Sequence, residues 1–84
     1  MEVLVGIIGR YFNKIGVAVI EMKESLKIGD SIHIIGNTTD FIQDLSMMQI
    51  ENSPVQMVSR GDEVAITVRH PVQDGDDVYK IITE

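Results

Sequence analysis

Cysteine is absent from this 84-residue chain. That excludes disulfides, thiolate zinc sites, iron–sulfur clusters and a cysteine nucleophile together. Tryptophan is absent as well, and prolines number only two. No apolar run approaches the roughly 18 residues of a membrane span; the longest near the start is Val3 to Ile8. No basic stretch precedes it, so no secretory leader and a cytoplasmic setting are expected. Leucine and alanine are scarce, at 3 and 2 residues, against 13 isoleucines and 10 valines. β-Branched side chains lose χ1 freedom in a helix but pack well on a pleated sheet. The chain is therefore expected to be mostly β. Hydrophobic residues at 44% and charged residues at 24% are globular proportions. The length allows one small domain, residues 1–84, with no room for two cores.

Val3-Leu4-Val5-Gly6-Ile7-Ile8-Gly9 suits a strand buried on both faces. Gly6 and Gly9 within it suggest a bulge or a close backbone approach. Asn13-Lys14 is a turn signal, and Val17 to Lys23 follows as a second strand of a hairpin. There Val17, Val19, Glu21 and Lys23 share one face, and Ala18, Ile20 and Met22 the other. Glu24 to Asp30 is a connection, Ser31 to Ile35 a strand, and Gly36 to Asp40 a loop. Phe41 to Asn52 is ambiguous. Phe41, Leu45 and Met48 fit a helix face, while alternation with a polar interruption fits a strand. The β surroundings and the lack of Ala and Lys favour the strand. Ser53-Pro54 breaks it, and Val55 to Val58 is a short turn or bridge. Glu63 to Arg69 alternates with Val64, Ile66 and Val68 inward, His70-Pro71 ends it, and Val78 to Ile82 is the last strand.

Six or seven short strands with frequent turn signals suggest a closed barrel or a sandwich. A barrel is favoured at this size because it leaves no edge to protect. Gly29-Asp30, Gly61-Asp62 and Gly75-Asp76 each precede a strand. They are one turn solution used repeatedly rather than a tandem repeat.

Leu26-Lys27-Ile28-Gly29-Asp30-Ser31-Ile32-His33-Ile34 resembles the stretch after the first hairpin in the second domain of translational GTPases of the elongation factor Tu type. Leu45 to Ile50, Arg60 to Ile66 and Gln73 to Lys80 resemble later segments of that domain. The resemblance runs from about Val5 to Ile82, and its motifs are turns and core positions. It implies a small closed six-stranded Greek-key-type β-barrel of the translation-protein type. Val3 to Asn13 and Thr38 to Ile50 also resemble the small barrel appended to collagenase-like peptidase-family proteins, several of which modify RNA. A chain of this length is similar to stand-alone translation elongation factor-like proteins. No phosphate-binding Gly-x4-Gly-Lys-Ser/Thr loop is present, so no nucleotide is expected. The GTPase family's Gly-Arg pair falls at Val19-Ile20 here, so no tRNA-end contact carries over.

Few residues point to chemistry. His33 alternates with Ile32 and Ile34, which places it at the surface or the barrel rim, and no His/Asp cluster has metal-ligand spacing. Asp74, Asp76 and Asp77 lack the regular oxygen ligands and distal Glu of a calcium loop, and fit a solvated turn. Arg60-Gly61-Asp62 spells a cell-attachment tripeptide that a turn before a strand explains. Asn37-Thr38-Thr39 is a glycosylation sequon, inert in a cytoplasmic protein. Met22, Met47, Met48 and Met57 suit either an adaptable surface or core filling, and alternation puts at least one of the adjacent pair inside.

Charge is the most useful functional clue. The net charge is −6 and the pI near 4.7. Residues 1–27 carry four basic and three acidic residues, and residues 28–84 three and ten. Arg10, Lys14, Lys23 and Lys27 lie on or beside the first hairpin and are candidate contacts to RNA or a partner. Strong autonomous nucleic-acid binding is not expected of so acidic a chain. No cofactor, metal or nucleophile constellation is visible, so an enzyme is not expected. The expected function is a translation-factor-like binding module docking on a protein or ribonucleoprotein. The alternative is an accessory barrel for a separately encoded RNA-modifying or collagenase-like peptidase-family enzyme.

Overall fold

β-Branched residues at every second position leave a strand one apolar face, and that pattern organises the whole chain. The computed structural model describes residues 1–83, and every regular element among them is a strand. They are β1 (Glu2–Phe12), β2 (Val17–Met22), β3 (Leu26–Lys27), β4 (Ser31–Ile35), β5 (Asp40–Asp44), β6 (Met48–Ile50), β7 (Ser53–Val55), β8 (Met57–Val58), β9 (Glu63–Thr67) and β10 (Asp77–Ile81). Eight form one antiparallel sheet in the order β5-β4-β10-β1-β2-β9-β6-β7, and β3 pairs with β8 in a separate ribbon. The all-β expectation holds. The strand count rises to ten because β3, β7 and β8 are too short to show a period in the sequence. The ambiguous segment splits into β5 and β6, with Leu45 to Met47 between them.

β1 runs through the middle of the sheet and carries both irregularities. Its register slips between Leu4 and Gly6 against β10, and between Ile8 and Arg10 against β2. Each extra residue bends the strand and raises its twist. The glycines permit this. A Cβ on Gly6 would stand 2.5 Å from Ile20 Cγ2 and 2.8 Å from the Glu21 carbonyl oxygen. The sheet curls around a core that includes Val5, Ile8, Ile20, Ile34, Val64 and Val78, and the β3–β8 ribbon adds the buried Leu26 and Val58.

The expected closed barrel does not form. The ladder has free edges at β5 and β7, and Pro54 lies in β7, an edge position where its missing N–H costs no ladder bond. Gln43 bridges the opening at β5. Its side chain points inward, 5% exposed, and spans to the exit of β9. Nε2 donates to the Thr67 carbonyl and Oε1 accepts from the Arg69 N–H, each at 2.9 Å. One amide side chain thus fastens the seam that ladder bonds would close in a barrel.

The three Gly-Asp turns are one structure. Gly29, Gly61 and Gly75 have φ of 96°, 94° and 91°, the left-handed third position of a type II turn. Asp30, Asp62 and Asp76 donate their N–H to the carbonyls of Lys27, Ser59 and Gln73, each at 3.1 Å. Their carboxylates accept in return from the N–H groups of the same three residues at 2.9, 2.9 and 2.8 Å.

Gln43→Ala is expected to lower the free energy of unfolding by about 1 kcal/mol, because the part-buried hydrogen bonds to the Arg69 N–H and Thr67 carbonyl are lost. Urea denaturation checks it; a midpoint equal to wild type would mean the seam carries no load.

Candidate docking surface

The register that buries Ala18, Ile20 and Met22 turns Val17, Val19 and Glu21 outward. Across the ladder Val17 faces Thr67, Val19 faces Ala65, and Glu21 faces Glu63. Arg10 lies beside Val19 on the β1 side, and Gln49 beside Ala65 on the β6 side. Ala65 is the smallest side chain of that row, so the outer face dips there. The result is a shallow concavity of ≈ 670 Å³ floored by Val17, Val19 and Ala65. Phe12 and Ile15, 42% and 69% exposed, rise on one side, and the Gln49–Asn52 segment with Gly61 to Glu63 stands on the other.

The rim is acidic. Glu51, Asp62 and Glu63 line it, and Glu21 stands directly opposite Glu63. Like charges facing across an antiparallel pair repel. Among the described residues Glu21, Glu51 and Glu63 make no ion pair; the ion pairs present join Lys27 to Asp30 and His33 to Glu2 and Asp40. Glu51 and Asn52 form the two-residue β6–β7 turn with φ of 49° and 67°. Positive φ at both places is the type I′ hairpin turn, which Asn and Gly adopt at lower cost than Glu.

A second hollow of ≈ 420 Å³ lies between Thr38–Phe41 and His70–Gln73. Its two rings already meet each other edge to face, Phe41 and His70 at 5.0 Å between centroids.

The four cations singled out in the sequence do not gather into one patch. Arg10 packs its guanidinium 5.9 Å from the Phe12 ring centre, and Lys14 sits in the β1–β2 turn. Lys23 lies at the far end of the hairpin, where its N–H donates to the Val5 carbonyl at 2.7 Å. From Val17 to Met22 the strand covers on the order of 15 Å. Lys27, on β3, holds Asp30 at 2.7 Å. Burial pushes the Asp30 carboxyl up, but hydrogen bonds from the Lys27 ammonium and N–H outweigh it and hold the group below its ordinary value.

His33 is not a free surface imidazole. Nδ1 lies 2.8 Å from Glu2 Oε1 and Nε2 2.6 Å from Asp40 Oδ1, so one ring staples β1, β4 and β5 across β10. The hydrogen bonds to Asp40 and then Glu2 raise its pKa above the ordinary value, against a smaller effect of burial. Among the described residues no group of three His, Asp or Glu side chains is arranged to hold a metal ion. Asp62 of Arg60-Gly61-Asp62 spends a carboxylate oxygen on the Ser59 N–H, and Asp76 of the acidic turn is 5% exposed. Met48 is buried, while Met47 and Met57 are 56% and 64% exposed.

Two results follow from this geometry. His33 is more readily protonated in the folded than in the unfolded chain, so its contribution is fully present below the unfolded pKa of about 6.5 and fades as pH rises through the raised folded value. His33→Gln is expected to cost up to about 1 kcal/mol near pH 5.5 and close to nothing near pH 9; urea midpoints at both pH values check it. Glu51→Asn is expected to raise stability by about 0.5–1 kcal/mol by relieving the left-handed backbone, read from the same titration.

No protein-family model matches the chain. Over 79 residues, 93% of this chain, it is 37% identical to an uncharacterized protease of Methanocaldococcus jannaschii. Over 73 residues, 84% of the chain, it is 34% identical to a collagenase of Porphyromonas gingivalis. The chain spans about a fifth of the length of these curated relatives, 19% and 20%. Among solved structures it is similar to the C-terminal domain of a Geobacillus thermoleovorans putative U32 peptidase, with a TM-score of 0.88 and 17% identity over 94% of this chain and 92% of that one. The selenomethionine variant of the same domain superposes with a TM-score of 0.85 and 16% identity, over 90% and 96%. Of the two resemblances drawn from the sequence, these matches support the collagenase-like one; the elongation-factor one rests on the turn motifs alone. Among the described residues no helix is long and apolar enough to cross a membrane. The chain therefore has the fold of a U32-type C-terminal β domain and a sequence similar to a fifth-length segment of collagenase-like proteins.

Proposed function

We propose that this chain is a non-catalytic β module that works in the cytoplasm with a collagenase-like catalytic region, as a docking or positioning element. The observation that carries this reading is the match itself: nearly all of this chain is 37% identical to a segment of a protease, and its fold is that of a C-terminal domain of a putative U32 peptidase. The state of the polar groups supports it. The Gly-Asp carboxylates cap their own turns, and both nitrogens of His33 are taken up by carboxylates. The outer apolar face with its acidic rim is suited to contact rather than to proton or group transfer.

The test is a pull-down with the tagged full chain from native extract, split into nuclease-treated and untreated halves. A stoichiometric protein partner with a collagenase-like region, recovered equally from both halves, is expected. Ribosomal particles or tRNA that vanish with nuclease would overturn the reading in favour of a translation-linked module. Hydrolysis of gelatin by the isolated chain would overturn its non-catalytic part.

A further inference from the structure

We propose that the outer face of β2 and β9 binds an extended segment of another protein that carries apolar side chains beside lysine or arginine. The floor is apolar and accessible: Val17, Val19 and Ala65 are half-buried, and Ile15 and Phe12 stand proud of them. Such a floor gains free energy when covered, by about 25 cal/mol for each Å² of apolar area removed from water. Its rim specifies the charge of the occupant. Glu21 and Glu63 are register neighbours that make no ion pair, although Arg10 lines the same small hollow, and Glu51 stands at the larger hollow without an ion pair as well. A cationic side chain laid in the hollow beside Glu63 and Glu51 would meet carboxylates that have no ion pair among the described residues. Arg10 does not do this, because its guanidinium is placed over the Phe12 ring. The same carboxylates repel phosphate, so a nucleic acid is the wrong chemistry for this face. The face and its ligand chemistry are the same whichever protein supplies the segment.

The experiment is a titration of the isotopically labelled full chain with a hexapeptide of alternating lysine and leucine, followed by amide chemical shifts at low salt. Two control hexapeptides replace lysine by glutamate or leucine by serine. Shifts centred on Val19, Glu21, Glu63 and Ala65 are expected with the first peptide and not with the controls, and binding should weaken with added salt. Glu63→Gln is expected to weaken binding roughly fivefold or more. Glu51→Asn should weaken it too although that variant is more stable, so the loss cannot be one of folding. The proposal is overturned by an absence of shifts at millimolar peptide or by shifts centred elsewhere. Equal binding of either control, or variants that bind like wild type, would also overturn it. So would sedimentation showing a dimer that Ile15→Ser breaks apart, since the face would then belong to a second copy of the chain.

Discussion

The bend in β1 is the constraint on which the rest of the structure depends. Eight strands laid flat would have two equal faces, and this chain has apolar residues enough for only one interior. A sheet of this width gains a single inside by curling. β1 lies near its centre, between β10 and β2, and carries an extra residue toward each neighbour. The two sites are not equivalent. At Gly6 a side chain would meet both Ile20 and the Glu21 backbone, which cannot move without disturbing the core. At Gly9 it would meet the end of the flexible Glu21 side chain, 2.6 Å from Oε2. The first glycine therefore serves the interior, and the second makes room on the exterior for a carboxylate beside the proposed docking face.

That division shows how much of the molecule could be read from its sequence. Alternation over Glu63 to Val68 gave the inward face correctly, and over Val17 to Met22 it separated the two faces, because a buried strand imposes period two on its own residues. The Gly-Asp turns were legible because each is closed within four residues. Closure was not legible. The seam between β5 and the exit of β9 is bridged by Gln43, whose inward placement puts an amide where a ladder would run, and whose partners lie 24 and 26 residues away. His33 failed for a similar reason. Alternation put it outside, as it is, but Glu2 reaches it from 31 residues away and Asp40 from a neighbouring strand.

The candidate surface was hidden differently. Charge drew attention to Arg10, Lys14, Lys23 and Lys27, yet register spreads them over both ends of a hairpin and one ion pair. The residues that do come together are unremarkable singly: two valines, an alanine, a phenylalanine and an isoleucine. One signal was present. Val17 and Val19 stand on the face opposite Ala18, Ile20 and Met22, so β2 is apolar on both sides. A strand whose inner face already fills the core has no folding reason for valines on its outer one, beyond their β propensity.

Strain and repulsion collect around that same face. Glu51 occupies a left-handed position that Asn or Gly would fill at lower cost, and Glu21 and Glu63 are set against each other where opposite charges would stabilise the ladder. Either feature alone could be chance in an acidic chain. Away from this face Asp30 and Asp76 cap turns, and Glu2 and Asp40 hold His33. Costs that recur at one face are what a contact proposed there would offset. A sheet that fastens its own seam with one amide leaves its outer valines beside carboxylates without an ion pair, which is the combination the proposed contact would use.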